Sequence, residues 1–461
     1  MLLYKVFVFC KFGGAFYAIN LNKSPLKHFQ MAAEFGDRVK VLCRDEVIEG
    51  ILIQRPEIFP PNIIVVKLDS GYNIGVDKKK IKRIEVLQKY RPSRKRKIKL
   101  KFNKKLPTVA VLSTGGTISS RVDYKTGGVS AEFCAEDLVE MIPELKNVAN
   151  IKAKKIMGKM SEDLTPKDWL KIAHEIAKII KDVDGVVVTH GTDTFHYTTA
   201  AVSFILQNLT KPVVFTAAQR SIDRGSSDAY MNLLCAVTAA AKFNCSEVLT
   251  CMHGTTNDDY CLLIRGTKTR KMHSSRRDAF RPINEKAIAR VFPNGVIEEI
   301  SPEYKKRIID KTAKTTVDEK LNEKVAMIFV YPNMDAGVID YHVNKGYKGI
   351  VLAATALGHV PTDSKKSLLP GIERAMKKGV PVVIASQTIY GHVHPYVYTN
   401  LRRLSIELKA IFVEDMMPEV AYIKLMYALG HAKKLEDVKE IMLRDIAGEM
   451  TEREPLDVFL Q

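Results

Sequence analysis

The spacing of apolar positions changes along this chain and divides it into two kinds of structure. Between residues 36 and 88, short runs with alternating apolar residues are separated by Pro and Gly turns, and no helical apolar period occurs. This pattern predicts a small all-β barrel of four or five strands, of SH3-like or Sm-like size. Beyond residue 106, β-branched runs alternate with helical stretches, which predicts an α/β fold with a parallel sheet covered by helices on both faces.

In this α/β part, buried apolar runs that end in turn residues predict the strands. The predicted strands are residues 108–112, 186–189, 212–217, 247–252, 324–330, 349–354 and 380–386. Two predicted helices cover residues 135–142 and 194–206. A third helix begins at Pro166, because Thr165 is a suitable N-cap and Asp168 completes a capping box. We predict that this helix ends at Gly185 and buries four residues at helical spacing: Trp169, Ile172, Ile176 and Ile179.

The predicted organisation has five parts. They are an N-terminal extension (1–30), a small β-barrel (36–88), a basic linker (89–105), an N-terminal catalytic domain (106–315) and a C-terminal domain with a helical tail (323–461). A charged stretch without strands, residues 300–323, is the expected connection between the last two. Met31 opens a stretch that looks like an ordinary start, so we hypothesise that residues 1–30 precede the true start. Lysines interrupt the apolar stretch within residues 1–30, so we expect neither a signal peptide nor a membrane anchor there.

The charge of the chain is uneven. Of the net +19, ten basic residues without an acidic one fall between Lys89 and Lys105, so this run carries about half of the excess. A solvated linker and a contact with RNA phosphates both explain such a run, and the sequence leaves the two open. The candidate nucleic-acid contacts are Arg94, Lys95, Arg96 and Lys97. Seven cysteines without a CxxC pair indicate reduced thiols and a cytoplasmic protein.

Candidate chemistry lies in two glycine-containing turns that follow predicted strands. These are TGGTI, residues 114–118, and HGTDT, residues 190–194. Ligands of open α/β sheets bind at the carboxyl ends of the strands, where Gly116 and Gly191 let the backbone approach a ligand closely. TGGTI lacks the spacing of a dinucleotide-binding or phosphate-binding loop. The threonines of both turns are therefore candidate reactive groups.

A threonine hydroxyl is a weak nucleophile and needs a base within hydrogen-bond reach. Asp193 adjoins Thr192, and Lys271 is the candidate lysine, although a basic residue of the run TRKMHSSRRDAFRP is also readily explained as surface charge. His392 and His394 are interpreted as exposed loop histidines, and we expect no metal or organic cofactor in this chain.

Together, these motifs resemble the asparaginase and glutaminase amidohydrolases, which have paired catalytic threonines. TGGTI and HGTDT occur in the same order, with Thr117 and Thr192 75 residues apart. The resemblance implies an asparaginase-like parallel-sheet fold and four catalytic residues: Thr117, Thr192, Asp193 and Lys271. It implies further that Tyr124 is the lid tyrosine and that Ser161 and Glu162 hold the amino-acid end of the substrate. Which threonine attacks at each step stays open.

Three further runs narrow the resemblance to the D-type glutaminase subunits of archaeal glutamyl-tRNA(Gln) amidotransferases. These runs are residues 217–229, 270–280 and 414–430, and the β-rich N-terminal part agrees with them. The resemblance implies a homodimer bound to an ammonia-accepting, tRNA-binding partner, the E-type subunit, with Glu-tRNA(Gln) and glutamine as substrates. ATP and Mg²⁺ are then expected at the partner.

Two other functions remain open at this stage. A free-standing L-asparaginase would have the same catalytic groups but would need neither the β-barrel nor the basic run. A nucleic-acid-binding protein with a vestigial hydrolase fold would explain the basic run, although all four proposed catalytic side chains are present in their motifs. Substrate preference, and its response to tRNA and a partner, distinguishes these functions.

Overall fold

The computed structural model describes residues 7–12, 15–20, 33–54, 60–70, 72–90, 102–115, 121–122, 129–130, 141–220, 225–310 and 312–459. The described residues form two compact units. The first contains those up to Tyr90, and the second contains nearly all of those from Phe102 onward.

The first unit is built of antiparallel strands. Strands β1 (Phe7–Phe12) and β2 (Ala15–Asn20) form a hairpin. A five-stranded sheet follows, made of β3 (Arg38–Cys43), β4 (Val47–Ile53), β5 (Ile63–Lys67), β6 (Asn73–Asp77) and β7 (Ile81–Gln88). Its strand order is β6-β5-β4-β3-β7. Alternate residues of β3, Val39 and Val41, are fully buried, so the period-two pattern correctly predicted an all-β part.

The second unit contains the remaining strands. They are β8 (Thr108–Ser113), β9 (Arg121–Val122), β10 (Val129–Ser130), β11 (Asn150–Lys155), β12 (Gly185–Thr189), β13 (Leu206–Gln207), β14 (Val213–Thr216), β15 (Val248–His253), β16 (Cys261–Arg265), β17 (Thr269–Lys271), β18 (Phe280–Pro282), β19 (Ala289–Val291), β20 (Ile297–Glu299), β21 (Thr316–Val317), β22 (Val325–Phe329), β23 (Gly349–Ala354), β24 (Val382–Ser386) and β25 (Ile411–Phe412).

Helices connect these strands. The described α-helices are α1 (Leu145–Val148), α2 (Pro166–Ile179), α3 (Phe195–Ile205), α4 (Ala229–Lys242), α5 (Gly337–Asn344), α6 (Leu369–Lys377), α7 (Thr399–Arg402), α8 (Pro418–His431) and α9 (Leu435–Leu443). Short 3-10 turns cover Lys78–Lys80, Ser161–Asp163 and Ile180–Asp182, and a π turn covers Arg403–Glu407.

Two main sheets organise the second unit. The larger has the order β11-β8-β12-β14-β15-β16-β19-β20, in which the first five strands are parallel and the last three are antiparallel. The smaller, β22-β23-β24-β25, is parallel throughout. The predicted α/β architecture is therefore confirmed, but the sequence did not indicate the antiparallel edge, whose outer strands have only three residues each.

Helices cover both faces of the larger sheet. Residues Ala110 and Leu112 of β8 belong to one hydrophobic cluster with Trp169 and other residues of α2 and α3. Val109 and Val111, which alternate with them, belong to a second cluster with residues of α1 and α4. This division follows from the period-two geometry of a strand that is buried on both sides.

The structure corrects the predicted end of helix α2. The capping box of Thr165 and Asp168 forms as predicted, but the helix ends at Ile179, and Gly185 begins strand β12. A Cβ atom at Gly185 would lie 2.1 Å from the carbonyl oxygen of Ala240, so this glycine permits close packing of the strand against α4 and does not terminate a helix. Trp169, Ile172 and Ile176 are buried as predicted, whereas Ile179 is only partly buried.

One further prediction differs from the structure, and another falls mostly on residues that the structure does not describe. The stretch 300–323 was predicted to lack strands, but its residues Thr316–Val317 form β21 and pair with β13. A two-residue strand has too few residues to show a period in the sequence. Most of the predicted helix 135–142 lies outside the described residues.

Candidate active site

The candidate site lies at the carboxyl ends of neighbouring parallel strands of the larger sheet. Backbone hydrogen bonds join the turns beyond these strands: the amide of Thr114 donates to Thr189 O at 3.1 Å, and that of His190 donates to Thr216 O at 3.0 Å. The amide of Lys159 donates to Thr114 O at 3.1 Å. The turns after β8, β11 and β12 are therefore brought together at one edge, where open α/β sheets bind ligands.

Three of the predicted catalytic residues meet at this edge. The ammonium of Lys271 lies 3.0 Å from Thr192 Oγ1 and 2.8 Å from Asp193 Oδ1. Thr192 Oγ1 is 3.4 Å from the same carboxylate oxygen. The hydroxyl, the carboxylate and the ammonium thus form a closed triangle, in which Lys271 donates to both oxygens and the Asp193 carboxylate is the group that can accept the threonine proton.

Lys271 reaches this position from a separate hairpin. Strand β17 pairs antiparallel with β18, so that Lys271 lies opposite Phe280, which is fully buried. The Lys271 side chain is 10% exposed, whereas that of Asp193 is 65% exposed. The lysine therefore reaches the solvent-accessible carboxylate from the protein interior, and its surroundings restrict its rotamers more than those of a surface lysine.

Ser161 and Glu162 lie beside this triangle, in the short turn that follows edge strand β11. The amide of Asp193 donates to Ser161 Oγ at 3.3 Å, and Ser161 Oγ lies 3.4 Å from Glu162 Oε2. Thr194 Oγ1 donates to the carbonyl of Ser161 at 2.5 Å. Thr194 was not among the predicted site residues, and because this hydrogen bond joins two turns that are distant in the chain, local sequence gave no signal for it.

Glycines make the close approach of these turns possible. A Cβ atom on Gly191 would lie 2.8 Å from Ser161 Cβ, and one on Gly115 would lie 2.7 Å from the carbonyl oxygen of Lys159. Gly115 also has φ +117°, which L side chains rarely adopt. Gly191 therefore lets the turn after β12 contact the Ser161 turn, whereas its predicted close approach to a ligand stays a prediction.

Two buried histidines, one on each side of Thr192 and Asp193 in the chain, have pKa values that keep them neutral at physiological pH. Burial lowers the pKa of His190 to about 4, although a hydrogen bond to the carbonyl of Gly191 at 2.7 Å opposes this effect. Burial also lowers the pKa of His196 to about 3, and the charges of Arg270 and Lys271 contribute to this. Neither histidine is suited to take up a proton near pH 7.

Residues 217–229 are one of the runs that carry the family resemblance. A buried carboxylate, that of Asp228, binds both ends of this run. The amides of Gln219 and Arg220 each donate to Asp228 at 3.0 Å, and the side-chain amide of Asn232 donates to it at 3.1 Å. This run follows β14, the strand next to β12, so it borders the site on the side opposite Ser161.

Several predicted site residues lie outside the described residues. They are Thr117, Gly116, Tyr124, Arg94, Lys95, Arg96 and Lys97. Among the side chains that the structure does describe, no group of three or more His, Cys, Asp or Glu is placed to hold a metal ion. His392 lies 3.8 Å from Glu414, and His394 accepts a hydrogen bond from the amide of Tyr396 at 3.2 Å. In the described ranges, no helix has the length and apolar character needed to cross a membrane.

Comparison with protein families identifies the class. Residues 108–304 match the model "Asparaginase, N-terminal", and residues 324–442 match "Glutaminase/Asparaginase C-terminal domain". The L-asparaginase of Thermococcus kodakarensis superposes with a TM-score of 0.67 at 32% identity, covering 75% of this chain and all of that chain. L-asparaginase I of Vibrio cholerae gives a TM-score of 0.64 at 28% identity, covering 75% of this chain and 99% of that chain. The class is thus an amidohydrolase with the asparaginase-like α/β fold.

Full-length relatives define the family more narrowly. Residues 33–87 match the model "GatD N-terminal domain". The D-type subunit of glutamyl-tRNA(Gln) amidotransferase from Pyrococcus abyssi is 48% identical over 433 residues, which cover 92% of this chain and 97% of the relative. The corresponding protein of Methanopyrus kandleri is 44% identical over 425 residues, covering 90% of this chain and 91% of the relative. The chain belongs to the family of D-type subunits of glutamyl-tRNA(Gln) amidotransferase.

Proposed function

We propose that this chain is the ammonia-producing glutaminase of a tRNA-dependent amidotransferase that converts Glu-tRNA(Gln) to Gln-tRNA(Gln). The observation that carries the proposal is the triangle of Thr192, Asp193 and Lys271. It supplies a hydroxyl, a carboxylate that can accept its proton and an ammonium that donates to both, at the sheet edge of an asparaginase-like fold. The family membership selects the amidotransferase from the other reactions of this class.

The proposed reaction is a two-step acyl transfer. A threonine hydroxyl attacks the carboxamide carbon of glutamine, and an ester forms as the C–N bond breaks. The proton lost by the hydroxyl leaves with the nitrogen as ammonia. Water then cleaves the ester, which releases glutamate and restores the hydroxyl.

We assign the attack to Thr117 and proton transfer to Thr192, Asp193 and Lys271. Lys271 is within hydrogen-bond reach of both other members of the triangle, so a proton can pass between the hydroxyl and the carboxylate without rearrangement. Tyr124 is assigned to polarising the first threonine.

Ser161 and Glu162 are the proposed contacts for the amino-acid end of glutamine, together with Asp193. Asp193 and Glu162 are both exposed, so their carboxylates can receive the ammonium of a free amino acid. The buried hydroxyl of Ser161 accepts from the Asp193 amide and holds the two turns together. The substrate then spans the gap between these turns, with its carboxamide towards Thr192.

The proposed assembly is a homodimer that delivers ammonia to a second, tRNA-binding protein, the E-type subunit, in the cytoplasm. ATP and Mg²⁺ are assigned to that partner, because this chain has no phosphate-loop or dinucleotide motif. We also propose the five-part division of the chain, with residues 36–88 as a module distinct from the catalytic part.

A second candidate function is L-asparaginase, favoured by the superposition on solved L-asparaginases. The two functions use the same catalytic groups and differ in substrate. The test is ammonia release from glutamine and from asparagine, by the chain alone and with the E-type subunit, ATP and Glu-tRNA(Gln). Activity on glutamine that rises in the full mixture supports the amidotransferase, whereas partner-independent hydrolysis of asparagine supports the asparaginase.

A further inference from the structure

Residues 268–271 comprise strand β17 and the residue before it. Three of these four residues are basic: Lys268, Arg270 and Lys271. Successive side chains of a strand point to opposite faces. Lys271 contacts Thr192, whereas Lys268 and Arg270 contact acidic residues outside the triangle. Both of these form ion pairs with a short segment that follows the second sheet, residues 415–419, which contains Asp415 and Glu419.

The carboxylates of both ion pairs are buried, and so is Lys268, whereas the Arg270 side chain is 21% exposed. Lys268 Nζ lies 2.5 Å from Asp415 Oδ2, with side chains 3% and 0% exposed. The guanidinium of Arg270 lies 2.8 Å from one carboxylate oxygen of Glu419 and 2.9 Å from the other. Removing one member of a buried pair leaves an uncompensated charge, so these contacts define the position of β17 strictly.

The place of Glu419 in the fold favours a negatively charged side chain. It lies in the first turn of α8, directly after Pro418 at the first helical position. The amide groups of a helix N-terminus favour a negative charge there. Burial raises the pKa of Glu419, and the neighbouring charge of Arg270 opposes this effect.

Glu419 also lies near helix α3, which follows the turn of Thr192 and Asp193. Its carboxylate is 3.7 Å from Nε2 of His196, which is in the first turn of α3. Helix α3 follows directly on the turn that carries Thr192 and Asp193. One side chain therefore lies next to both the strand that supplies the lysine and the helix that follows the threonine.

We infer that Glu419 and Asp415 are positioning residues that hold Lys271 at hydrogen-bond distance from Thr192. This inference rests on the proposed function. The C-terminal part of the chain supplies none of the proposed catalytic side chains. Through these two carboxylates it would set the distance between Lys271 and Thr192. Displacement of a catalytic group by about 1 Å costs on the order of 100-fold in rate, so a modest shift of β17 has a measurable effect.

The experiment is the steady-state kinetics of glutamine hydrolysis by the full-length Glu419→Gln variant, with and without the E-type subunit, ATP and Glu-tRNA(Gln). Glutamine keeps the size of the side chain but loses the charge that holds Arg270. We expect kcat to fall at least about tenfold while KM changes much less, because Lys271 contacts Asp193 but not Ser161 or Glu162, the other proposed contacts of the amino-acid end. A uniform loss of packing would lower the folded fraction and the melting temperature without this separation of kcat from KM.

Asp318→Asn is the matched control. Asp318 accepts from His431 at 2.8 Å at the other end of the same helix, α8. This variant also removes a carboxylate that anchors the helix but does not touch β17, and we expect wild-type kcat and KM. An unchanged kcat in Glu419→Gln, or an equal loss of kcat in Asp318→Asn, overturns the inference.

Arg270→Lys tests the same contact from the opposite partner if Glu419→Gln does not fold. Lysine keeps the charge but is shorter and lacks the planar guanidinium whose Nη1 contacts both oxygens of Glu419, so we expect a smaller fall in kcat, again with a smaller change in KM. A wild-type kcat in this variant overturns the inference. Absence of ammonia release by the wild-type chain in the full mixture would instead count against the proposed function, so the two failures are distinguishable.

Discussion

At the scale of single residues, the proposed chemistry depends on three polar atoms held within 3.4 Å of one another. The sequence placed Thr192 and Asp193 in one turn but did not indicate their distance from Lys271, 78 residues beyond Asp193. The hairpin of β17 and β18 places Lys271 next to these two residues. The candidate residues could therefore be selected from the sequence, whereas their arrangement required the fold.

Loss of either side chain of the Lys271–Thr192 contact should abolish amide hydrolysis. We expect Thr192→Ala and Lys271→Ala each to lower kcat by about 10³-fold or more, because each removes a group that acts with the others as a unit. Both residues lie in turns or at a strand end, so the melting temperature should stay close to that of the wild type. Lys154→Ala, which removes an exposed lysine paired with Glu175, is the control for lost charge. Full activity in both site variants would contradict the assignment.

The buried histidines should make the fold sensitive to acid. The pKa of His196 is about 3 and that of His190 about 4, both below the value of about 6.5 in an unfolded chain. The unfolded state thus binds more protons, so stability is present above pH 6.5 and is lost as the pH falls towards 4 and 3. We expect each histidine to contribute a loss of about 2 kcal/mol between about pH 6.5 and 5.

His196→Gln tests this prediction by urea denaturation at several pH values. Glutamine does not titrate, so the free energy of unfolding should fall less steeply with acid in the variant than in the wild type. Equal slopes for the two proteins would show that His196 is not held neutral in the folded state.

At the scale of elements, the sequence predicted some boundaries correctly for physical reasons. Helix α2 begins where Thr165 and Asp168 form a capping box, because capping is a local interaction. Its end was wrong because Gly185 serves a contact with Ala240, which is 55 residues distant and cannot be seen in local sequence. The short strands β19, β20 and β21 were missed because two or three residues show no period.

The contact between the two site turns should not tolerate a larger residue at position 191. A Cβ atom there would meet Ser161 Cβ at 2.8 Å, closer than real Cβ contacts, so Gly191→Ala must displace the Ser161 turn. We expect KM for glutamine to rise about tenfold or more, with a smaller change in kcat, because Ser161 and Glu162 are proposed to bind the amino-acid end. Gly225→Ala is the control, since nothing lies within 4 Å of a Cβ atom at that position. Unchanged kinetics in Gly191→Ala would remove Ser161 and Glu162 from the proposed substrate site.

At the scale of the whole molecule, the question is what the parts outside the catalytic fold contribute. The small sheet and the basic run lie outside the asparaginase match, which begins only at residue 108. Lys89 and Tyr90 are anchored to Asp37, by an ion pair of 3.0 Å and a backbone hydrogen bond of 2.8 Å. The basic run therefore begins at a fixed point of the first unit.

A quadruple replacement by glutamine at Arg94, Lys95, Arg96 and Lys97 tests the RNA hypothesis without disturbing that anchor. If these residues contact phosphates, tRNA affinity should fall and its salt dependence should weaken, because fewer counterions are released on binding. Glutamine hydrolysis by the chain alone should be unchanged. Filter binding at two salt concentrations measures the effect, and unaltered affinity would identify the run as a solvated linker.

The central claim is that this chain makes ammonia from glutamine for a tRNA-bound glutamate. The most direct test is ammonia release from glutamine and asparagine by the purified chain, alone and with the E-type subunit, ATP and Glu-tRNA(Gln). We expect weak activity alone and a strong rise with glutamine in the full mixture, which Lys271→Ala should eliminate. Efficient hydrolysis of asparagine that ignores the partner and tRNA would contradict the claim and identify a free asparaginase.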